Sequence, residues 1–229
     1  MERLKISSKN LNLVINKVIK VIKKGGVIVC PTDTVYGLIA DATNEKAVKK
    51  VFQIKKRTFQ KPIPVFVKDL KMAKQLARIN KIQEKFLTPH QNKFGTGQEK
   101  VWPGKVTVVL KAKTKKLPKG IISKDKKIGL RIPNYKVINK LLMIINHPLT
   151  GTSANISGKP ESTKIKEVIK QFQNHPPTKF GEGQPDLILV AGNLKTSLPS
   201  TVIDLTNFQI LREGAISKDE IFKILGKIK

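Results

Sequence analysis

Apolar positions along this chain recur at two different spacings, and the changes between them mark its elements. Leu11, Val14, Val18 and Ile22 recur at helical intervals, so a helix runs from a cap at Ser7 or Ser8 to about Lys24, where Gly25-Gly26 ends it. The unbroken apolar run Val27-Ile28-Val29-Cys30 then reads as a buried strand. Ala47, Val48, Val51 and Phe52 define a second helix begun by Thr43 or Asn44, after which Pro62 and Pro64 force an extended path into Val65-Phe66-Val67. Residues 69 to 86 keep one helical pattern through Leu70, Ala73, Leu76, Ala77 and Ile79, and residues 88 to 100 read as a mobile loop whose role as a lid the sequence leaves open. Strands are expected at 106–110, 128–132 and 187–190, and helices at 137–145, after Ser162 or Thr163, and around Ile221, Phe222 and Leu225.

Strands separated by helices over the whole length, with no repeat and no linker, predict one α/β domain spanning residues 1–229 around a twisted mixed sheet flanked by helices. The long connector at 111–127 argues against a strictly parallel, doubly wound array. No apolar run is long enough to cross a bilayer and the N-terminus carries no signal pattern, so a cytoplasmic protein without membrane contact is expected. The single cysteine, Cys30, lies inside the strand run, where an inert core thiol is its expected role.

The net charge is +29, from 45 basic and 16 acidic residues, which points to polyanionic partners. Most of that charge is lysine spread along helix faces, with no basic patch interleaved with aromatics. Attraction of nucleotides, or weak contact with tRNA, is therefore the expectation rather than specific nucleic-acid recognition. The five arginines, at 3, 57, 78, 131 and 212, are more informative, because a guanidinium offers a rigid fork to a carboxylate or phosphate.

The dinucleotide fingerprint and the Walker-type phosphate loop are absent, and His90, His147 and His175 stand apart from any ligand-spaced partner. What recurs instead is a hydroxyl- or arginine-bearing motif beside several strands. The first is Pro31-Thr32-Asp33-Thr34-Val35-Tyr36, directly after the buried run. Lys55, Arg57 and Lys61 put three cations within seven residues; Arg131 interrupts an apolar strand; Thr152-Ser153-Ala154-Asn155 sets hydroxyls and an amide before a helix. Each has an ordinary alternative: a turn, a solvated lysine run, an outward-facing strand position, a helix cap. Taken together they outline a cleft rich in cations and neutral hydrogen-bond donors and poor in acid/base groups. That profile suits attack on a nucleotide α-phosphate, where cations and Mg²⁺ neutralise the departing charge and an ionised carboxylate needs no strong base.

The ordered set PTDTVYGL (31–38), KKRTFQKPI (55–63), WPGKVTVVL (102–110), GLRIP (129–133), TSANISGKP (152–160), PSTVIDL (199–205) and LREGAI (211–216) resembles the YrdC/Sua5/TsaC family of threonylcarbamoyl-adenylate synthases. The resemblance implies a mixed α/β sheet with a concave basic cleft, and conversion of L-threonine, bicarbonate and ATP, with Mg²⁺, to threonylcarbamoyl-AMP and pyrophosphate. A threonylcarbamoyl transferase complex would then carry the group to tRNA as N6-threonylcarbamoyladenosine. Residue by residue, it puts Lys55 and Arg57 at the ATP phosphates as the catalytic cations, with Lys61 beside them. Ser153, Asn155 and Arg212 fall on the nucleotide, and Thr32, Thr34, Tyr36, Arg131 and Ser200 on threonine, Arg131 through the carboxylate. Asp33 is left between capping the turn and placing Mg²⁺, the turn being preferred. Lys105 and Glu213 depart from the family pattern, and the end of the chain soon after the last motif suggests the short, stand-alone type. The rival readings are a carbamoyl-adenylate-forming enzyme and a non-catalytic RNA-binding or regulatory module of the same fold.

Overall fold

The computed structural model describes residues 1–88, 90–91, 98–99, 101–173 and 183–226. The chain opens with β1 (Glu2–Lys5), α1 (Leu11–Lys23), β2 (Ile28–Cys30), β3 (Gly37–Ile39), α2 (Glu45–Lys55) and β4 (Val65–Phe66). Next come α3 (Leu70–Leu76), α4 (Lys81–Leu87), β5 (His90–Gln91), β6 (Gln98–Glu99), β7 (Val106–Lys111), β8 (Lys127–Arg131) and α5 (Lys136–Ile145). The last part holds β9 (Leu149–Thr150), β10 (Thr152–Ser153), α6 (Ile165–Gln173), β11 (Leu187–Val190), β12 (Thr201–Asp204), β13 (Gln209–Arg212) and α7 (Lys218–Gly226).

The strands divide between two mixed sheets instead of forming one. The first runs β1-β11-β2-β3-β10 and the second β13-β12-β7-β8-β4-β9, while β5 and β6 pair only with each other. Gly151 is where the chain changes sheet, since β9 pairs with β4 and β10 pairs with β3. A Cβ at Gly151 would stand 2.7 Å from the Phe66 ring, so this crossing demands glycine.

Alternation along β2 explains its unbroken apolar run. Val27 and Val29 face one core cluster, while Ile28 and Cys30 face a second built with α1 and α5. The second cluster buries Val14, Ile15, Val18, Ile19 and Ile22 of α1, each contributing about 1.5–3 kcal/mol on burial. Helix α5 packs beneath the first sheet, as its spacing predicts.

Three local expectations change. Asn10, not Ser7 or Ser8, stands at the N-cap of α1. The pattern over 69–86 is two helices, because Ala77 turns extended and bridges to Ala112, and the Arg78 N–H donates to Lys111 O at the end of β7. β1 was not foreseen; its Glu-Arg-Leu-Lys has little apolar patterning and is held as an edge by parallel pairing to β11. The rest of 88–100, expected as a mobile loop, and His175 lie outside the described residues. None of the described helices is long and apolar enough to cross a membrane.

Candidate active site

A cavity of about 1050 Å³ is lined by residues from both sheets. That is room for a nucleotide and a small acid together. Thr32, Thr34, Tyr36, Lys55, Arg57, Lys61, Arg131, Ser153, Asn155, Ser200 and Arg212 all line it. The cationic side chains Lys56, Lys127 and Lys159 join them, against the carboxylates Asp125, Glu161 and Asp204.

One end is built on the C-terminus of α2. Asn44 caps that helix by accepting the Ala47 N–H, and the helix stops because Lys56 takes a left-handed conformation (φ 48°). A lysine is an unusual residue for that turn, so the sequence gives no glycine signal for it. Lys55 is thereby directed inward and is 2% exposed. Its Nζ donates to Ser153 O at 2.6 Å, Asn155 O at 3.0 Å and Asn155 Oδ1 at 2.8 Å, using all three ammonium protons on neutral acceptors. Burial, then the neighbouring Arg57, lower its pKa to about 7, with Glu161 opposing through space. Asn155 Oδ1 also accepts from Ser153 Oγ at 2.7 Å, while Asn155 Nδ2 donates to Lys159 O at 2.6 Å. The amide is therefore fixed in one orientation. Arg57 folds back on its own loop, donating from Nε to Lys61 O at 2.7 Å and from Nη2 to Pro62 O at 3.1 Å. Its N–H groups at Nη1 carry no such contact among the described residues. Lys61 itself is exposed.

At the other end, the turn after β2 meets the end of β8. Thr32 Oγ1 accepts the Thr34 N–H at 3.1 Å and donates to Val35 O at 2.7 Å, which pins the turn. Arg131, 3% exposed, donates from Nε to Gly104 O at 2.8 Å, from Nη1 to Thr34 Oγ1 at 3.3 Å and from Nη2 to Asp33 Oδ1 at 2.6 Å. Its strand position faces the cavity, not solvent. Burial lowers its pKa and the Asp33 carboxylate counters that. Asp33 thus neither caps its turn nor stands ready for a metal, because its second oxygen accepts the Asn134 N–H at 3.0 Å. Sequence named the aspartate but held no signal for a partner 98 residues away.

Tyr36 is a wall. Its hydroxyl donates to Gly192 O at 2.7 Å and accepts the Ala191 N–H at 3.2 Å, and burial is the main cause of a pKa pushed up to about 12. Ser200 Oγ lies 2.8 Å from Thr107 Oγ1, and Ser200 O accepts from Arg212 Nη2 at 2.7 Å. Arg212 Nη1 is 3.9 Å from Glu161 Oε1. Thr107, Glu161 and the Lys127–Asp204 pair (2.6 Å) were not singled out by sequence, although Thr107 and Asp204 fall inside the motifs. Of the two departures, Glu213 Oε1 accepts the Lys218 N–H at 3.0 Å at the start of α7, and Lys105 Nζ donates to Ser197 Oγ at 3.2 Å. Among the described residues no three His, Cys, Asp or Glu side chains gather to hold a metal ion.

A family model of the Sua5/YciO/YrdC domain, described as telomere recombination, matches residues 20–214. The chain belongs to this family. A relative from Methanocaldococcus jannaschii named putative threonylcarbamoyl-AMP synthase is 37% identical over 87% of this chain and 87% of its own length. A Pyrococcus abyssi relative named threonylcarbamoyl-AMP synthase is 31% identical over 91% of this chain, which spans only 56% of that longer protein. The solved structure of P. abyssi Sua5 complexed with L-threonine superposes with a TM-score of 0.78 at 28% identity, covering all of this chain and 61% of the other. The mixed α/β architecture expected from the motifs is thus that of the Sua5/YciO/YrdC family.

Proposed function

We propose that this chain is an L-threonylcarbamoyladenylate synthase, a nucleotidyltransferase acting on ATP. The observation that carries the reading is the pairing, in one cavity, of cations resting on neutral groups with an arginine whose free N–H groups suit a carboxylate. Relatives named threonylcarbamoyl-AMP synthase, and a relative's structure with L-threonine, favour it over a non-catalytic module or a carbamoyl-adenylate enzyme.

In this reading the threonine amine attacks bicarbonate carbon, water leaves, and an N-carboxylated threonine results. An oxygen of that carbamate then attacks the α-phosphorus of ATP; the new P–O bond forms as the bond to the β-phosphate breaks, and pyrophosphate departs. The nucleophile is already anionic, so positioning and electrostatics carry the step. Lys55 would orient the Ser153–Asn155 turn at the phosphates, Arg57 and Arg212 would neutralise developing charge, and Lys61 would add an exposed cation at the rim. Thr32, Thr34, Tyr36, Arg131 and Ser200 would form the threonine pocket. Mg²⁺ would arrive with the nucleotide, held mainly by its phosphates, as suits a cavity with few carboxylates. The product would pass to a threonylcarbamoyl transferase complex, with tRNA contact weak and salt-dependent.

The test supplies purified protein with ATP, Mg²⁺, bicarbonate and labelled threonine. Threonine-dependent pyrophosphate release and labelled threonylcarbamoyl-AMP are the expected result; absence of both refutes the proposal.

A further inference from the structure

Asp33 stands apart from its neighbours in the turn. Thr32 and Thr34 line the cavity; Asp33 does not. It lies behind Arg131, with side-chain exposures of 9% and 4% for the two partners. We propose that Asp33 is a positioning residue for the amino-acid substrate, fixing the Arg131 guanidinium so that its two unclaimed N–H groups meet the substrate carboxylate. The proposal rests on reading the Arg131 end as the threonine pocket.

A guanidinium has five N–H groups. Gly104 O, Thr34 Oγ1 and Asp33 Oδ1 claim three, leaving one on each Nη. A carboxylate recognised by a fork needs such a pair held in a fixed plane. The plane is set from several directions: Gly104 at Nε, Asp33 at Nη2, and the Phe66 ring 5.6 Å from Cζ. Asp33 is itself anchored, because the Asn134 N–H holds its other oxygen. The pair also spans the two sheets, Asp33 lying between β2 and β3 and Arg131 ending β8. It therefore holds the threonine end of the cleft at a set width.

Charge gives Asp33 a second effect. A lone buried guanidinium would attract any anion, the triphosphate included. With Asp33 beside it the net charge is close to zero, and binding depends on the direction of two N–H groups. That favours a small planar carboxylate over a polyphosphate.

The experiment measures steady-state pyrophosphate release for wild type, Asp33→Asn, Asp33→Glu, Arg131→Ala and the Asp33→Asn/Arg131→Ala double variant. A wild type without threonine-dependent activity would sink the functional reading itself. Given an active wild type, Asp33→Asn is expected to raise the threonine KM at least about tenfold, while the ATP KM stays within about twofold. Asp33→Glu, which keeps the charge, recovers most of that loss; if the asparagine variant does not fold, Asp33→Ser carries the same threonine-against-ATP comparison. In the Arg131→Ala background Asp33→Asn adds nothing further. An unchanged threonine KM, a parallel rise in the ATP KM, or an undiminished effect without Arg131 would overturn the proposal.

Discussion

The two ends of the cavity bury a cation in opposite ways. Lys55 and Arg131 are 2% and 3% exposed, so each has left water behind. Arg131 meets a carboxylate, and its charge is cancelled where it stands. Lys55 meets two backbone carbonyls and an amide oxygen, which solvate the ammonium without neutralising it. A buried cation lacking a counter-ion is costly, and the lowered pKa of Lys55, caused first by burial and then by Arg57, expresses that cost. On the proposed function, a polyanionic ligand would supply the missing charge at one end. At the other, no further charge is needed, and a ligand is held by oriented donors. On that reading, the same fold would separate a site for phosphates from a site for an amino acid by where it places one aspartate.

Removing the Lys55 charge is the hardest blow to this contrast. Lys55→Met keeps much of the side-chain length but orphans Asn155 O, leaves Ser153 O with the Asn155 N–H alone, and leaves Asn155 Oδ1 with Ser153 alone. Loss of one preorganised electrostatic contact of this kind costs roughly 10²–10³ in turnover. Orphaned buried acceptors destabilise by about 1–3 kcal/mol each. The expected outcome is a fall of that size in pyrophosphate release, together with a lower melting temperature. Wild-type turnover with the methionine would mean that the phosphate end does not depend on its buried cation.

The half of this arrangement that is local in sequence was legible from it. Asn44 and the spacing of Ala47, Val48, Val51 and Phe52 set α2, and hence the place of Lys55. Side chains from the motifs at 31–36, 55–61 and 152–155, which with Arg131 read as one cleft, line one cavity together with Ser200 and Arg212, which the resemblance adds. What failed was long-range. The split into two sheets depends on β9 choosing β4 while β10 chooses β3, and two-residue strands carry no period to announce that. The break at Ala77 arises from pairing with Ala112, which overrides helix propensity. Asp33 and Asn134 are each good turn formers alone, so their joint hold on Arg131 was hidden behind their local preferences.

A smaller effect is expected at Arg57. Its Nε and one Nη2 proton hold the Lys61 and Pro62 carbonyls, so only part of its fork remains for phosphate. Arg57→Ala is expected to raise the ATP KM about tenfold, or about 1.4 kcal/mol, with the threonine KM within twofold. Arg57→Lys should recover little, because a point charge cannot both brace the 61–62 backbone and face the ligand. Matched losses for both substrates would erase the separation between the ends.

The finest test is protonic. The Lys55 pKa falls from an ordinary 10.5 to about 7 in the folded chain. Between those values the unfolded chain holds a proton that the folded chain has released. The Lys55 contribution to stability therefore rises with pH across that window, and below it the burial penalty stands in full. ATP reverses the balance: its phosphates supply the absent countercharge and draw the proton back. At about pH 8 ATP binding should take up close to one proton, and ATP affinity should fall by at most about tenfold per pH unit above 7. Calorimetry in two buffers of different ionisation enthalpy reads that uptake directly, and Lys55→Met should abolish it. Arg131 holds its proton throughout and is already paired, so threonine binding at the same pH draws no proton to its site. Equal uptake for both ligands would mean that the two cations are buried alike in practice, whatever stands beside them.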